Sequence, residues 1–93
     1  MERLEATIIG KVQMVMFRDF TQRKAKGLRL TGEVMNLHDG SVRVIAEGER
    51  TQLEALLHTL YKGPLLARVD TIEVAWLAPT HEYKTFSLIS GKK

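Results

Sequence analysis

Residues 4–20 read LEATIIGKVQMVMFRDF, and within them a strand pattern gives way to a helix pattern. Apolar residues alternate over 3–12, which is the period of a strand with one buried face. Over 17–28 the apolar residues share one side of a helix and charged residues fill the other side. A strand followed by an amphipathic helix is the first part of a split βαβ unit.

The segment that follows this helix predicts a β-hairpin. Apolar residues alternate over 30–36 and again over 41–47. Between the two runs lies Asp39-Gly40, a dipeptide typical of tight turns that join antiparallel strands. The two runs are therefore predicted to be neighbouring antiparallel strands.

A second helix and two further strands are predicted in the rest of the chain. Residues 51–54 (TQLE) have the form of a capping box, and leucines follow them at helical spacing. Residues 63–64 (GP) end that helix. Residues 69–77 then alternate as a strand, and residues 84–89 predict a short final strand.

The order βαββαβ, with the short strand appended, predicts an α+β fold: a ferredoxin-like α/β sandwich with an antiparallel sheet of four to five strands. Right-handed crossovers would place both helices on one face of the sheet. No linker or low-complexity segment divides the chain, so residues 1–93 are expected to form one domain. The opposite face should be partly open to solvent and lined by Thr7, Ile9, Arg43 and Ile45.

The composition excludes several classes of protein. With 44% hydrophobic and 27% charged residues, the chain has the make-up of an ordinary globular protein rather than a disordered one. It contains no cysteine, which excludes disulfides, thiol nucleophiles and thiolate metal sites. The apolar runs are too short for a membrane span and the first residues do not form a signal peptide, so a cytoplasmic location is expected.

The charge pattern favours an anionic ligand near the N-terminal third of the chain. The net charge is +3, and seven basic residues but only three acidic ones precede position 30. Residues 10–18 join the first strand to the first helix, where backbone N–H groups and the positive end of the helix dipole can bind a phosphate. Arg18 lies in the first helical turn, where a cation is unfavourable unless an anion joins it. An ion pair with Asp19 is the alternative interpretation for this arginine.

Asn36 is the second candidate for chemistry. It ends the second predicted strand just before the hairpin turn, where asparagine commonly serves as a turn residue. Its carboxamide also offers both a donor and an acceptor, so it could hold a water molecule.

Taken together, these residues resemble the acylphosphatase family. The resemblance rests on GxVQxVxFR at residues 10–18, GxVxNxxDGSV at residues 32–42 and AxG at residues 46–48. It extends through nearly the whole chain in length and in order of elements. A ferredoxin-like topology alone would be weak evidence, because that topology hosts many functions.

The resemblance implies an enzyme that hydrolyses small-molecule acyl phosphates to a carboxylate and inorganic phosphate, without a metal or another cofactor. It implies that Arg18 and Asn36 are the catalytic residues and that Asn36 orients the attacking water. It also implies that the phosphate is bound by Gln13, Met14, Val15, Met16, Phe17 and Arg18. Inorganic phosphate or sulfate should then compete for the site. A carboxylate leaving group, with a conjugate-acid pKa of about 4, needs no general acid.

Two methionines depart from the family pattern. The family usually has glycine where this chain has Met14, and often a small residue where it has Met16. If position 14 needs a positive φ, methionine costs about 1–2 kcal/mol there. The side chains could stand at the pocket mouth and contact a large acyl group, or they could pack under the loop and fill space.

Two alternative functions remain open at this stage. The first is a catalytically weak or silent acylphosphatase-like domain, damaged at Met14 and used for protein interaction. The second is an RNA-binding module of the same topology, which is disfavoured because the predicted central strands carry no aromatic residues for base stacking. The histidines at 38, 58 and 81 lack ligand spacing, so no metal site is expected.

Overall fold

Seven elements follow one another along the chain, and the computed structural model describes residues 1–93. They are β1 (Glu2–Lys11), α1 (Phe17–Gly27), β2 (Thr31–Asn36), β3 (Val42–Gly48), α2 (Arg50–Lys62), β4 (Arg68–Leu77) and β5 (Phe86–Lys92). The type and order of every element match the sequence-based prediction.

The sheet has the strand order β4-β1-β3-β2-β5. β1 pairs antiparallel with both β3 and β4, and β2 pairs antiparallel with β3. This is the expected ferredoxin-like arrangement, with the first and third strands at the centre. β5 pairs parallel with β2, so the sheet is mixed rather than wholly antiparallel as expected.

The hydrophobic core lies between the sheet and the two helices. On β1, Leu4, Ala6 and Ile8 are fully buried, in agreement with the alternation of that segment. The helix α2 adds the fully buried Leu53, Leu56 and Leu60. The other face of the sheet is partly open, and there Arg43 pairs with Glu5 at 2.8 Å.

The predicted capping box of the second helix is wrong. The helix α2 begins at Arg50, with Glu49 as N-cap residue and no side-chain capping hydrogen bond. The Arg50 guanidinium donates to Glu2 at 2.9 Å and stacks over the Trp76 ring at 3.6 Å. These tertiary contacts hold the first turn in place and leave Thr51 as an exposed residue inside the helix.

A β-bulge in β1 directs the chain from the sheet into the loop before α1. The register with β4 shifts between Ile9 and Gly10. Gly10 has a φ of 145°, and a Cβ atom there would lie 2.1 Å from the Arg68 carbonyl oxygen. Only glycine fits this close approach of two backbones, so the bulge fixes where the loop starts.

None of the helices is long and apolar enough to cross a bilayer. The cytoplasmic location stays a prediction.

Candidate active site

The loop between β1 and α1 has positive φ at two positions, Met14 and Met16, separated by a residue without it. Met14 has a φ of 62° and Met16 a φ of 64°, whereas Val15 between them is not in the positive-φ region. Alternation of this kind turns successive N–H groups toward one side and forms a concave anion-binding nest. The loop therefore has the shape of such a nest, although both positive-φ positions are methionines.

The amides of this loop have no hydrogen-bond acceptor within the chain. From Val12 to Asp19 no backbone N–H donates to any backbone or side-chain oxygen, and the first helical donor is the Phe20 amide, which bonds the Met16 carbonyl at 3.0 Å. The N-cap residue, Met16, provides no side-chain acceptor for the first turn. The row of free donors coincides with the positive end of the α1 dipole, which favours an anion at this point.

Arg18 faces this loop from the first turn of α1. Its Nη1 donates to the Ile89 carbonyl oxygen of β5 at 2.8 Å, and no carboxylate lies within ion-pair distance. Asp19 pairs with Arg23 instead, at 3.0 Å, so the alternative of an Arg18–Asp19 pair is wrong. The guanidinium is fixed by one backbone contact and keeps further donors for a ligand.

Asn36 lies in the same cavity as Arg18. It ends β2, is only 7% exposed, and its carboxamide forms no hydrogen bond within the chain. The cavity has a volume of about 420 Å³. Its lining includes Met14, Met16, Phe17, Arg18, Asn36 and Leu88. The fold therefore brings both predicted catalytic residues and part of the predicted phosphate loop together.

Two residues of the predicted phosphate loop direct their side chains away from the cavity. Val15 is buried in the hydrophobic core and can offer only its backbone. The Gln13 Nε2 donates to the carbonyl oxygens of Leu37 at 2.7 Å and Ser41 at 2.9 Å. Gln13 therefore braces the loop against the β2–β3 turn, next to Asn36. This contact was not predicted, because its acceptors are backbone carbonyls far along the chain and no motif indicates them.

The turn that carries Asn36 has its own internal bonds. Asp39 Oδ1 accepts from the Ser41 amide at 2.9 Å and from the Ser41 hydroxyl. These bonds from Ser41 lower the pKa of the Asp39 carboxyl. The hairpin and its Asp-Gly turn are confirmed, with Gly40 at a φ of 94°.

Both methionine side chains of the loop stand in solvent. Met14 is fully exposed and Met16 is 71% exposed. The interpretation that they pack under the loop and fill space is therefore wrong. They stand at the mouth of the cavity, as the other interpretation proposed.

A buried carboxylate anchors the connection between β4 and β5. Glu47 is 2% exposed and accepts hydrogen bonds from the Thr80 amide, the His81 amide and the Arg3 guanidinium. Burial alone would raise the pKa of Glu47, but these donors outweigh it and lower the pKa to about 2. The connection leads into β5, whose Ile89 carbonyl holds Arg18.

Nothing in the chain resembles a built metal site, because no three His, Asp or Glu side chains cluster. On the open face of the sheet, the central strands β1 and β3 expose Ile9 and the Arg43–Glu5 pair but carry no aromatic ring. This gives no support to an RNA-binding module, which stacks bases on such rings.

A family model described as "Acylphosphatase" matches residues 4–88. The chain belongs to the acylphosphatase family. Among curated acylphosphatases, the protein from Salinibacter ruber is 45% identical over 91% of this chain and 90% of its own length. The acylphosphatase from Thermus thermophilus is 51% identical over 82% of this chain and 86% of its own length.

Solved acylphosphatase structures share the fold. The crystal structure of acylphosphatase from Bacillus subtilis superposes with a TM-score of 0.93 at 30% sequence identity. The match covers 96% of this chain and 99% of that chain. The family resemblance drawn from the two motifs is therefore confirmed, and so is the α+β sandwich.

Proposed function

We propose that the chain hydrolyses acyl phosphates at the cavity formed by the β1–α1 loop, Arg18 and Asn36. Membership of the acylphosphatase family supports the reaction class, which is hydrolysis of an acid anhydride. The roles of individual residues are part of the proposal. Residues 1–93 act in it as one acylphosphatase-like domain, because the loop, Asn36 and β5 all belong to one sheet and its connections.

The observation that carries the proposal is the row of free amides from Val12 to Asp19 beside an arginine without a carboxylate partner. Polar groups of this kind normally find a partner, and a dianionic phosphoryl group supplies several acceptor oxygens at once. The residues proposed to bind it are Gln13, Met14, Val15, Met16, Phe17 and Arg18, through their amides and the Arg18 guanidinium. We call this set of donors the phosphate cradle. Inorganic phosphate and sulfate, which present the same oxygens, compete for it.

Asn36 holds the attacking water in this mechanism. Its carboxamide is free within the chain and lines the cavity that also contains Arg18. The water oxygen forms a bond to phosphorus while the bond from phosphorus to the acyl oxygen breaks. The electron pair leaves with the carboxylate, and the proton of the water passes to a phosphoryl oxygen, which gives dihydrogen phosphate.

The reaction needs few catalytic groups, because a carboxylate is a good leaving group. A carboxylate leaves without protonation, so the site needs only to position water and to stabilise charge on the phosphoryl group. Ordinary phosphate esters have alkoxide leaving groups that need a proton. They should be poor substrates, since the one carboxyl group that lines the cavity, Asp19, is held in an ion pair with Arg23.

Replacement of Arg18 by alanine tests the cradle. Loss of one transition-state donor costs about 3–4 kcal/mol, so kcat/KM for benzoyl phosphate should fall at least about 100-fold in Arg18→Ala. Lys24→Ala is the matched control, because it removes an exposed cation from the same helix outside the cavity. Its kcat/KM should stay within about twofold of the unmodified chain, as for other surface substitutions.

The assay is run in excess chelator, with folding of each variant checked by circular dichroism. Competitive inhibition by inorganic phosphate should be present in the unmodified chain and lost in Arg18→Ala. Equal activity of Arg18→Ala and Lys24→Ala would overturn the assignment of the site. Absence of any hydrolysis by the folded, unmodified chain would favour a catalytically silent domain.

A further inference from the structure

A second cavity lies beside the first and is largely apolar. Its volume is about 300 Å³, and its side chains come from the loop, from α1 and from the segment that follows α2. We call it the apolar groove and define it by Met14, Met16, Phe20, Pro64, Leu65 and Leu66.

The groove concentrates exposed apolar side chains at one point of the surface. Leu65 is 97% exposed and Leu66 70% exposed, next to the exposed Met14 and Met16. Single exposed apolar residues are common on proteins, but a contiguous set of them marks a binding site. Neighbouring methionines suit such a site because their thioethers adapt to ligands of different shape.

The groove carries little charge. Its one charged residue is Arg23, whose guanidinium pairs with Asp19 at 3.0 Å. The phosphate cradle next to it is the opposite in character, with free amides and Arg18. The two cavities together therefore suit a molecule with a phosphate at one end and an uncharged apolar group at the other.

Met14 and Met16 line both cavities and make them continuous. Asn36 lines only the first cavity, and Leu65 and Leu66 line only the second. In an in-line displacement the leaving group departs opposite to the attacking water. With the water at Asn36, the acyl group is directed away from Asn36, and the groove is the adjoining apolar surface that Asn36 does not line.

We propose that the apolar groove binds the acyl group of the substrate and gives the enzyme a preference for apolar acyl phosphates, aromatic or of medium chain length. This inference rests on the proposed function, since it takes the phosphate to lie in the cradle. Binding energy from the acyl group, which does not itself react, then raises kcat/KM.

A homologous substrate series measures this preference. Acetyl, butyryl, hexanoyl and octanoyl phosphate differ only in the number of methylene groups. A fully buried methylene contributes about fourfold in binding and a half-buried one about twofold, so kcat/KM should rise about 50-fold from acetyl to octanoyl phosphate. The substrates are used below the concentration at which they form micelles.

The double substitution Leu65→Ser/Leu66→Ser should flatten the series, so that the octanoyl-to-acetyl ratio of kcat/KM falls to about 5 or less, because the methylenes lose their apolar contact. Leu77→Ser is the matched control. Leu77 is an exposed leucine of β4 that lines neither cavity, and its substitution should leave the ratio unchanged.

The outcomes separate this inference from the proposed function. If acetyl phosphate is hydrolysed but chain length has no effect, or if the effect persists in the double variant, the groove does not bind the acyl group. If no acyl phosphate is hydrolysed, the proposed function itself fails. If light scattering shows a dimer that the double variant dissociates, and the series is flat, the groove is an interface between copies and the inference is overturned.

Discussion

At the scale of single residues, the site depends on two methionines in a backbone conformation that favours glycine. Met14 and Met16 both have positive φ values, and their side chains are exposed, so packing does not compensate for the strain. Strained residues of this kind persist where the surrounding structure over-determines them, and they concentrate at functional sites. In the proposed function, the free amides beside each methionine bind the phosphate, and this binding is what the strain makes possible.

Replacing Met14 by glycine should stabilise the fold. Relief of about 1–2 kcal/mol of strain exceeds the entropic cost of glycine, so the free energy of unfolding should rise by about 0.5–1 kcal/mol. Urea denaturation measures it. Leu65→Gly is the control, because Leu65 is equally exposed without a positive φ and should lose stability. A loss of stability in Met14→Gly as large as that in Leu65→Gly would contradict the assignment of strain.

Replacing Asn36 by alanine should separate turnover from phosphate affinity. If the carboxamide positions water, kcat for benzoyl phosphate should fall about 100-fold in Asn36→Ala. The inhibition constant of inorganic phosphate should change less than about threefold, since the cradle is intact. Gln52→Ala, which removes an exposed carboxamide from α2, serves as control. Equal losses in kcat and in phosphate affinity would assign Asn36 to binding instead.

Arg18 and Asn36 could be predicted from sequence because their motifs have fixed spacing, and the cavity does bring the two together. The role of the Gln13 side chain could not be predicted, because its acceptors lie on Leu37 and Ser41, far along the chain. The direction of the Met14 and Met16 side chains could not be predicted from sequence either, because it depends on the positive φ at each residue.

At the scale of secondary-structure elements, the site is held from three sides. The bulge at Gly10 sets the start of the loop, and the Gln13 side chain ties the loop to the β2–β3 turn. The strand β5 holds Arg18 through the Ile89 carbonyl. The elements themselves followed from hydrophobic periodicity, which reports burial along one segment. The parallel pairing of β5 did not follow, because its partner β2 is distant along the chain and periodicity within one segment does not report which strand it pairs with.

Glu47, which holds the segment between β4 and β5, should make the stability of the fold depend on pH. The pKa of Glu47 is about 2 in the folded chain and near 4.5 in the unfolded chain. The ionised carboxylate therefore adds about 3 kcal/mol to the free energy of unfolding above pH 4.5. This contribution is lost as the pH falls from 4.5 toward 2. Glu47→Gln should therefore be less stable than the unmodified chain at pH 7, with the difference shrinking below pH 4.5.

The measurement is urea denaturation of both proteins between pH 7 and pH 2.5. Glu54→Gln is the control, because Glu54 forms only an exposed pair with Arg50 and should change stability by about 0.5 kcal/mol or less. A penalty for Glu47→Gln that is the same at pH 7 and pH 2.5 would contradict the role given to this carboxylate.

At the scale of the whole molecule, the fold brings together parts that are distant in sequence. The order β4-β1-β3-β2-β5 places the loop after β1, the end of β2 and the strand β5 around one cavity. The apolar groove adds the segment after α2 to this end of the molecule. Element order was enough to predict the sandwich. The groove could not be predicted, because its side chains come from three separate parts of the chain and no one part has a sequence pattern that indicates it.

The central claim is that the main-chain amides of the β1–α1 loop bind the phosphoryl group. Titration of the ¹⁵N-labelled chain with inorganic phosphate, followed by ¹H–¹⁵N correlation spectra, tests it most directly. The largest saturable shifts should fall on the amides between Gln13 and Asp19, with the Arg18 side-chain signal moving at the same phosphate concentrations. Shifts spread over surface lysines, or a loop whose signals do not move, would contradict the claim.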